Sequence, residues 1–456
     1  MISKEVQNTD RNKVQESIDS DGDVQVSDNS DGLPNWKPRA LSSEFIEAGQ
    51  KRTGFDMPLF LITLVMLLIS LVMMLSASFA RAYFNSGEPT SLFVRHLIFS
   101  VSGVALMILV SRFKVSTISR WSFHLLLVSF VLLVVVLVAG RVFNNARRWI
   151  GVGELTFQPS EIVKAAIVLS FAQMMCKFGK ARMSTFRYGV LPFVAISVFA
   201  AVLLFRQPHY SAAIIIITIS VIMMFAGGTR IRWFVIAGLL IVAAAGLFLI
   251  LSMKSADKEL SAENANEQIT QTVWGDSLGY AGKRIDAWLN PEADSIGDGW
   301  QTRQSLYAIG SGGLLGQGLG QSRQKYLYLP EETNDYIFSV ICEELGFVGV
   351  MLILILFVLL IVRGFWLALH AKDKYGSLVI IGLTSLLAIQ VFLNVAVVTN
   401  LLPATGISLP FFSYGGTALW IQLVEVGIIL AVSREIPASA TRKASTDRTQ
   451  IGGNEE

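Results

Sequence analysis

Ten apolar stretches, each of about the length that crosses a bilayer, restrict the fold of this 456-residue chain more than any other feature. They run at about Met57 to Ser78, Leu92 to Val110, Ser122 to Gly140, Ile162 to Phe178, Tyr188 to Phe205, Ser211 to Ala226, Arg232 to Leu251, Val340 to Val362, Leu378 to Leu401 and Phe412 to Val432. In hydrocarbon each backbone N–H and C=O must find its partner within the segment, so such stretches become helices, and roughly 20 residues of helix span the core. The pattern predicts an all-α polytopic membrane protein with ten transmembrane helices. Hydrophobic residues make up 53% of the chain, charged residues 16%, and the mean hydropathy is +0.55, too apolar for a soluble protein of this size. The fourth and sixth stretches are the shortest, which calls for polar surroundings or for extension by their flanks.

Basic residues orient the helices, because cytoplasmic connections retain Lys and Arg. Lys51 and Arg52; Arg112, Lys114 and Arg120; Lys177, Lys180, Arg182 and Arg187; Arg230 and Arg232; Arg363, Lys372 and Lys374; and Arg434 fall on alternate sides of the stretches. Both termini are thereby predicted to be cytoplasmic, with a large extracytoplasmic loop of about residues 252–335 between helices 7 and 8. Arg141, Arg147 and Arg148 break the rule in a short outward connection, and basic residues held where topology disfavours them invite a functional reading. Residues 1–54 are polar and acidic without an apolar run of the signal-peptide kind, so they read as a disordered cytoplasmic N-terminal tail. Residues 435–456 read as a second disordered tail, which leaves a membrane domain of residues 55–434.

Several classes of function are disfavoured. Cys176 and Cys342 are the only cysteines and lie in or beside apolar stretches, so neither a disulfide framework nor a cysteine metal site is available. The net charge of +3 is spread over many short connections with no basic stripe interleaved with aromatics, so nucleic acid is not an expected partner. A carrier collects its polar groups at mid-membrane, whereas here carboxylates, tryptophans and glycines collect in the outer loop. From Arg284 to Asp335 that loop holds Trp288-Leu289-Asn290-Pro291-Glu292-Ala293-Asp294, then eight glycines between Gly297 and Gly320, then Leu329-Pro330-Glu331-Glu332-Thr333-Asn334-Asp335. The glycines predict tight turns or a re-entrant excursion rather than a long helix. Chemistry on something presented at the outer surface fits this distribution.

Four constellations stand out. Gln158-Pro159-Ser160-Glu161 reads as a helix start, with Glu161 facing the positive end of the helix dipole and Lys164 three residues on, within pairing distance. Arg147, Arg148 and Lys164 are predicted to converge there, beyond what interfacial anchoring requires, and guanidinium forks suit phosphate oxygens. Glu343 and Glu344 lie one to two turns inside the eighth stretch, where an ionised carboxylate needs a partner or water; a structural ion pair and a catalytic role both satisfy that need. Arg95 and His96 carry the same ambiguity. Asp294 is readable as a turn residue, a general base or a ligand for a hard divalent cation, and spacing alone does not separate these. Ser408 to Gly416 reads as a proline-shaped outer turn with close helix contact at the glycines, its hydroxyls available to a groove.

Taken in order, these motifs resemble the SEDS family (shape, elongation, division, sporulation), which includes FtsW, RodA and SpoVE. The resemblance runs from about Phe55 to Arg434 and rests on Ser76 to Ser78, Asn144 to Trp149, Gln158 to Lys164, Gln207-Pro208, Asn290 to Gln304, Ile309 to Gly320, Leu329 to Gly346 and Leu409 to Gly416. It implies a ten-span glycosyltransferase that polymerises lipid II into glycan strands at the outer face of the bacterial cytoplasmic membrane. The family's essential outer-loop aspartate falls on Asp294, the catalytic candidate. Arg147, Arg148, Lys164, Glu161, Glu344, Gln304 and Ser413 are the candidate substrate-binding residues. Asn145 stands where the family usually has Gly, His209 and Tyr210 replace its Asp-Leu, Trp300 replaces a Tyr and Thr333 a His. These departures weaken the case for a place of Gln207 to Ser211 in the reaction centre.

The resemblance further implies inversion at the anomeric carbon, with Asp294 as the base or as the group that positions it. Arg147 and Lys164, with Mg2+ or Mn2+ as the one cofactor, for which Asp294 is a possible ligand, would neutralise the departing undecaprenyl pyrophosphate. A class B penicillin-binding protein transpeptidase and other divisome proteins are the implied partners, at the division septum. The long polar N-terminus and Arg52 to Asp56 favour a division-type member over an elongation- or sporulation-type one. A lipid II flippase, which would need a hydrated central cavity charged in both leaflets, and a non-catalytic scaffold are the competing readings.

Overall fold

A computed structural model describes residues 54–143, 146–152, 155–239, 284, 287–289 and 297–436. Residues 1–53 and 437–456 of the tails, the outer loop up to residue 283, the end of the seventh apolar stretch and Asp294 itself lie outside the described residues. Nine helices long and apolar enough to cross a membrane occur among the described residues. They comprise α1 (Met57–Ser86), α2 (Ser91–Ser111), α3 (Val115–Ala139), α4 (Pro159–Met183), the short α5 (Phe186–Gly189) continuing into α6 (Leu191–Phe205), and α7 (Tyr210–Gly227). After α8 (Asp298–Gly312), which is not a span, come α9 (Ile337–Leu369), α10 (Lys374–Val398) and α11 (Gly416–Ser433). Residues 231–239, where the seventh stretch begins, are helical as well. The protein is a multi-pass membrane protein.

Local chemistry sets the helix limits. Asp56 caps α1, its carboxylate accepting from Leu59 N at 3.0 Å, with Pro58 in the first turn where its missing N–H costs nothing. The short fourth and sixth stretches are extended by their flanks: α4 starts at Pro159 and runs to a break at Gly179, where φ is 69°, before a last turn that ends at Met183, and α7 has 18 residues. The tenth span begins at Gly416 rather than Phe412, because Phe411 to Gly415 form a turn in which Phe411 takes a φ of 66°.

Helices α4, α10 and α11 form the interior. Of the apolar window of α11, 78% is buried, against 22% for α2, whose other faces are left for lipid. Between α2 and α11 the contact is backbone-close: a Cβ added to Gly427 would lie 2.7 Å from Met107 O. Small residues permit such contact where no hydrophobic drive separates helix from lipid.

Two forked ion pairs clasp α1 to α9 and to the loop before it. Arg363 donates to Asp56 at 2.6 and 3.0 Å, and Arg81 to Glu332 at 2.5 and 2.7 Å. Between them α9 is broken at Gly346, whose φ is 66° and ψ −172°. A break in a membrane helix frees backbone groups that lipid cannot satisfy. Here the glycine-rich strand of chain after α8 supplies them, Gln317 N and Gly318 N donating to Glu343 O and Glu344 O, while Phe347 N and Val348 N donate to Gly313 O and Leu314 O. The glycines do make the expected excursion, but they are preceded by a 15-residue helix, α8, that they did not predict. The reason is their position at its two ends, which leaves residues 300–309 free of glycine.

Candidate functional site

The connection between α3 and α4 is a small antiparallel sheet: β1 (Arg141–Phe143), β2 (Ala146–Val152) and β3 (Leu155–Phe157), in the order β1-β2-β3. Phe143 pairs with Ala146 and Val152 with Leu155, so only two residues close each hairpin. Successive side chains of a strand point to opposite faces, and β2 separates the two adjacent arginines accordingly. Arg148 turns inward, with Nε donating to Gln207 O at 3.4 Å and Nη2 to Pro208 O. Arg147 is exposed and donates to Leu137 O at 3.3 Å. The expected convergence of three basic groups is thereby reduced to two, Arg148 and Lys164.

Both line a cavity of about 700 Å3 at the end of the bundle that the charge pattern assigns to the outside. Its wall carries four cationic side chains, Arg141, Arg148, Lys164 and Arg284, and three carboxylates, Glu161, Glu331 and Asp335. Pro159 at the start of α4 sets Glu161 in the first turn, and Glu161 meets Lys164 at 2.7 Å. Arg284 is tied to Ala404 O at 2.6 Å, and Trp288 Nε1 to Asn400 O at 3.0 Å, so these two residues are fixed to the α10–α11 connection. From the other side, Gln301 of α8 reaches the wall and donates to Pro330 O at 3.3 Å.

The roof is a junction of two loops. Ser413 lines the cavity, but its hydroxyl is used internally, accepting from Leu409 N and donating to Asn334 O, each at 2.7 Å. Tyr414 N donates to Thr333 O at 2.8 Å. A Cβ on Gly416 would lie 2.3 Å from the Phe99 ring, the close contact expected at this glycine pair. His96, ambiguous in the sequence, is buried within 3.2 Å of Ser70 Oγ, which itself donates to Phe411 O at 2.7 Å and so supports the turn from below.

Besides Arg147, two further candidates lie elsewhere. Gln304 is buried on α8 without lining the cavity. Glu344 is absent from the wall and sits in a second charged cluster, where Lys325 Nζ meets its Oε1 at 2.9 Å and Ser76 Oγ donates at 2.6 and 2.7 Å. Neighbouring Glu343 accepts from Ser322 Oγ at 2.5 Å and Arg323 N at 2.9 Å. The geometry supports the ion-pair reading for Glu344, while Glu343 is satisfied by a hydroxyl and backbone amides.

The cavity also holds groups that the motifs did not single out. His209 and Ser211 line it, and the carbonyls of Gln207 and Pro208 hold Arg148, so the segment set aside on sequence is part of the wall. Burial first, then Arg148 and Lys164, push the His209 pKa well below its ordinary value, which keeps the ring neutral. Asp335 stands at the end of the run Glu331-Glu332-Thr333-Asn334-Asp335; three carboxylates directly before an apolar span were the available signal. Among the described residues no group of three His, Cys, Asp or Glu side chains is arranged to hold a metal ion.

This geometry can bind an anionic headgroup against fixed cations while apolar chains lie between helices. The profile of the FtsW, RodA and SpoVE family, described as cell cycle protein, matches residues 57–437. Stage V sporulation protein E of Bacillus subtilis (strain 168) is 41% identical over 387 residues, covering 84% of this chain and 98% of that protein. The protein of Trichlorobacter lovleyi named "Probable peptidoglycan glycosyltransferase FtsW" is 37% identical over 381 residues, 83% of this chain and 93% of its own length. Its namesake in Bacillus subtilis (strain 168) is 32% identical, over 86% and 93%. Among solved structures, a chain from a peptidoglycan synthase complex that coordinates polymerization and crosslinking superposes with a TM-score of 0.65 at 26% identity, over 84% of this chain and 98% of that one. The rod shape determining protein RodA of Thermus thermophilus gives 0.58 at 25%, over 84% and 98%. With the family profile running from the first helix past the last, this chain belongs to the FtsW, RodA and SpoVE family of cell cycle proteins.

Proposed function

We propose that the protein is an inverting peptidoglycan glycosyltransferase that polymerises lipid II into glycan strands at the outer face of the cytoplasmic membrane. The observation that carries this reading is the cation-lined cavity: Arg148, Lys164 and Arg284 face one space at the end where the outer loop attaches. A pyrophosphate held there would have its developing charge offset by groups already fixed in place, the arrangement that contributes most to such transfers. Arg148 is pre-positioned by two carbonyls and Lys164 by Glu161, so neither has to reorganise as the leaving group departs. Asp294, adjoining this site in sequence through α8, acts on the acceptor hydroxyl as base or as the group that positions the base. Mg2+ or Mn2+, if bound, would add further charge neutralisation at the pyrophosphate; the described residues offer no ligand set for it, and no step is assigned to it.

The names of relatives support the same reaction, and the likeness to a chain of a synthase complex supports a transpeptidase of the penicillin-binding class as partner. Division at the septum is the leading role. A sporulation role is the second reading, because identity to stage V sporulation protein E (41%) exceeds that to FtsW of the same organism (32%). A fluorescent fusion followed through growth separates them: recruitment to every division site supports the first, and appearance confined to spore-forming cells the second. The activity itself is tested with purified protein and lipid II. Glycan product is expected from the wild type, and Asp294→Asn is expected to lower it about 100-fold or more. Near-normal product from a folded Asp294→Asn protein would remove Asp294 from the mechanism, and lipid II translocation without product would favour a flippase.

A further inference from the structure

Of the three carboxylates facing the cavity, two are already engaged. Glu161 holds Lys164 at 2.7 Å, and Glu331 accepts from Asn334 Nδ2 at 2.5 Å. Asp335 is different: among the described residues no hydrogen bond engages its carboxylate. Its backbone is nevertheless fixed, the carbonyl accepting from Asn394 Nδ2 at 2.8 Å, a residue whose amide also bonds Ile407 O at 2.6 Å. Oδ2 lies beside Gly406, where an added Cβ would come within 3.2 Å of it, so a residue without a side chain keeps space open next to the acid. A half-buried carboxylate with no hydrogen-bond donor among the described residues is a cost to the fold that Arg148 and Arg284 offset only in part, and it is tolerated where a ligand supplies a further partner.

We propose that Asp335 is a second catalytic carboxylate of the glycosyl transfer, the group that takes the proton from the acceptor hydroxyl. This rests on the glycosyltransferase reading above. The acceptor oxygen bonds to the anomeric carbon of the donor as the bond from that carbon to the pyrophosphate oxygen breaks. The electron pair leaves with the pyrophosphate, against Arg148 and Lys164, and the acceptor proton moves to an oxygen of Asp335. No oxidant or co-reactant is required.

The groups around Asp335 set when it can serve. Arg148 of β2 and Arg284 ahead of α8 face the same space, as do Glu331 of its own loop, His209 ahead of α7 and the Glu161–Lys164 pair of α4. Burial, then Glu331, raise its pKa against the two arginines to about 6. The basic form prevails at neutral pH and is lost below about 6, so turnover should fall along an acid limb there.

The test is polymerisation of lipid II by the purified full-length protein across pH 5 to 8, with lipid II binding and thermal stability measured alongside. Asp335→Asn is expected to keep its fold and to bind lipid II within about threefold of wild type. Its kcat should fall at least about 100-fold, and the limb near pH 6 should vanish from what activity remains. Asp335→Glu, which retains the acid, is expected to recover part of kcat. The inference is overturned by an Asp335→Asn kcat within tenfold of wild type, by an unchanged acid limb in that variant, or by a loss confined to KM. It is also overturned by a wild-type profile flat through pH 6, a result independent of any variant. Absence of product from the wild type would overturn the glycosyltransferase reading, and this inference with it.

Discussion

Two buried charged clusters use the same residue types to opposite ends. Around Glu344, each charge has its partner inside the protein: Lys325 Nζ also donates to Gly320 O at 2.7 Å and lies 3.1 Å from Ser76 Oγ, and Glu343 takes up the hydroxyl and amides of residues 322–324. Around Arg148, the cations are also held by protein partners, Arg148 by two carbonyls, Lys164 by Glu161 and Arg284 by Ala404 O, but they and Asp335 line an open space. A closed cluster fixes a loop to a broken helix, whereas one that lines a cavity is open to a ligand. Charge alone would have ranked the two alike; access to an open cavity separates them.

The comparison breaks most visibly at Glu344. Glu344→Ala leaves Lys325 buried without its counter-charge, and removal of one member of such a pair costs about 3–5 kcal/mol. The expected outcome is a protein that loses most of its folded yield in size-exclusion chromatography, with part of the loss recovered when Lys325→Met is added to Glu344→Met. A folded, inactive Glu344→Ala protein would instead move this cluster into the reaction. The next effect in size concerns the adjacent arginines. Arg148→Ala is expected to lower lipid II turnover about 10- to 100-fold, the worth of one charged hydrogen-bonding group, while Arg147→Ala changes it less than about threefold. Equal losses would mean that the strand's two faces do not divide the arginines in function.

The smallest effect has the opposite sign. Folding raises the Asp335 pKa from 3.8 to about 6, so its ionisation opposes folding fully above about pH 6, and the penalty is relieved as pH falls from 6 towards 4. Asp335→Asn is therefore expected to raise Tm by a few degrees at pH 7.5, with the gain shrinking below pH 6 in parallel thermal scans. A lowered Tm at neutral pH would place Asp335 with the closed cluster. Sites that exchange stability for activity behave in the manner expected here.

Much of this architecture was legible because hydrocarbon leaves a chain few options: apolar length alone located the nine spans found among the described residues, and the Glu161–Lys164 pair followed from helical spacing. The sheet between α3 and α4 was not legible, because strands of three and seven residues in a short connection show too few periods to be recognised. Lys325 could not be matched to Glu344 because the two are 19 residues apart and meet only through the fold of the glycine-rich chain between them. Asp335 was passed over for the converse reason: what distinguishes it is that no hydrogen bond engages its carboxylate among the described residues, and sequence does not record such a difference.

The two-residue repeat of β2 makes the cavity sensitive to parity. A change of one residue in length between Phe143 and Arg147 would exchange the faces of the neighbouring arginines, carrying Arg148 out to solvent and Arg147 inward, with net charge and composition scarcely altered. Length in this hairpin is thus a coded quantity, and an even change preserves the code where an odd one inverts it.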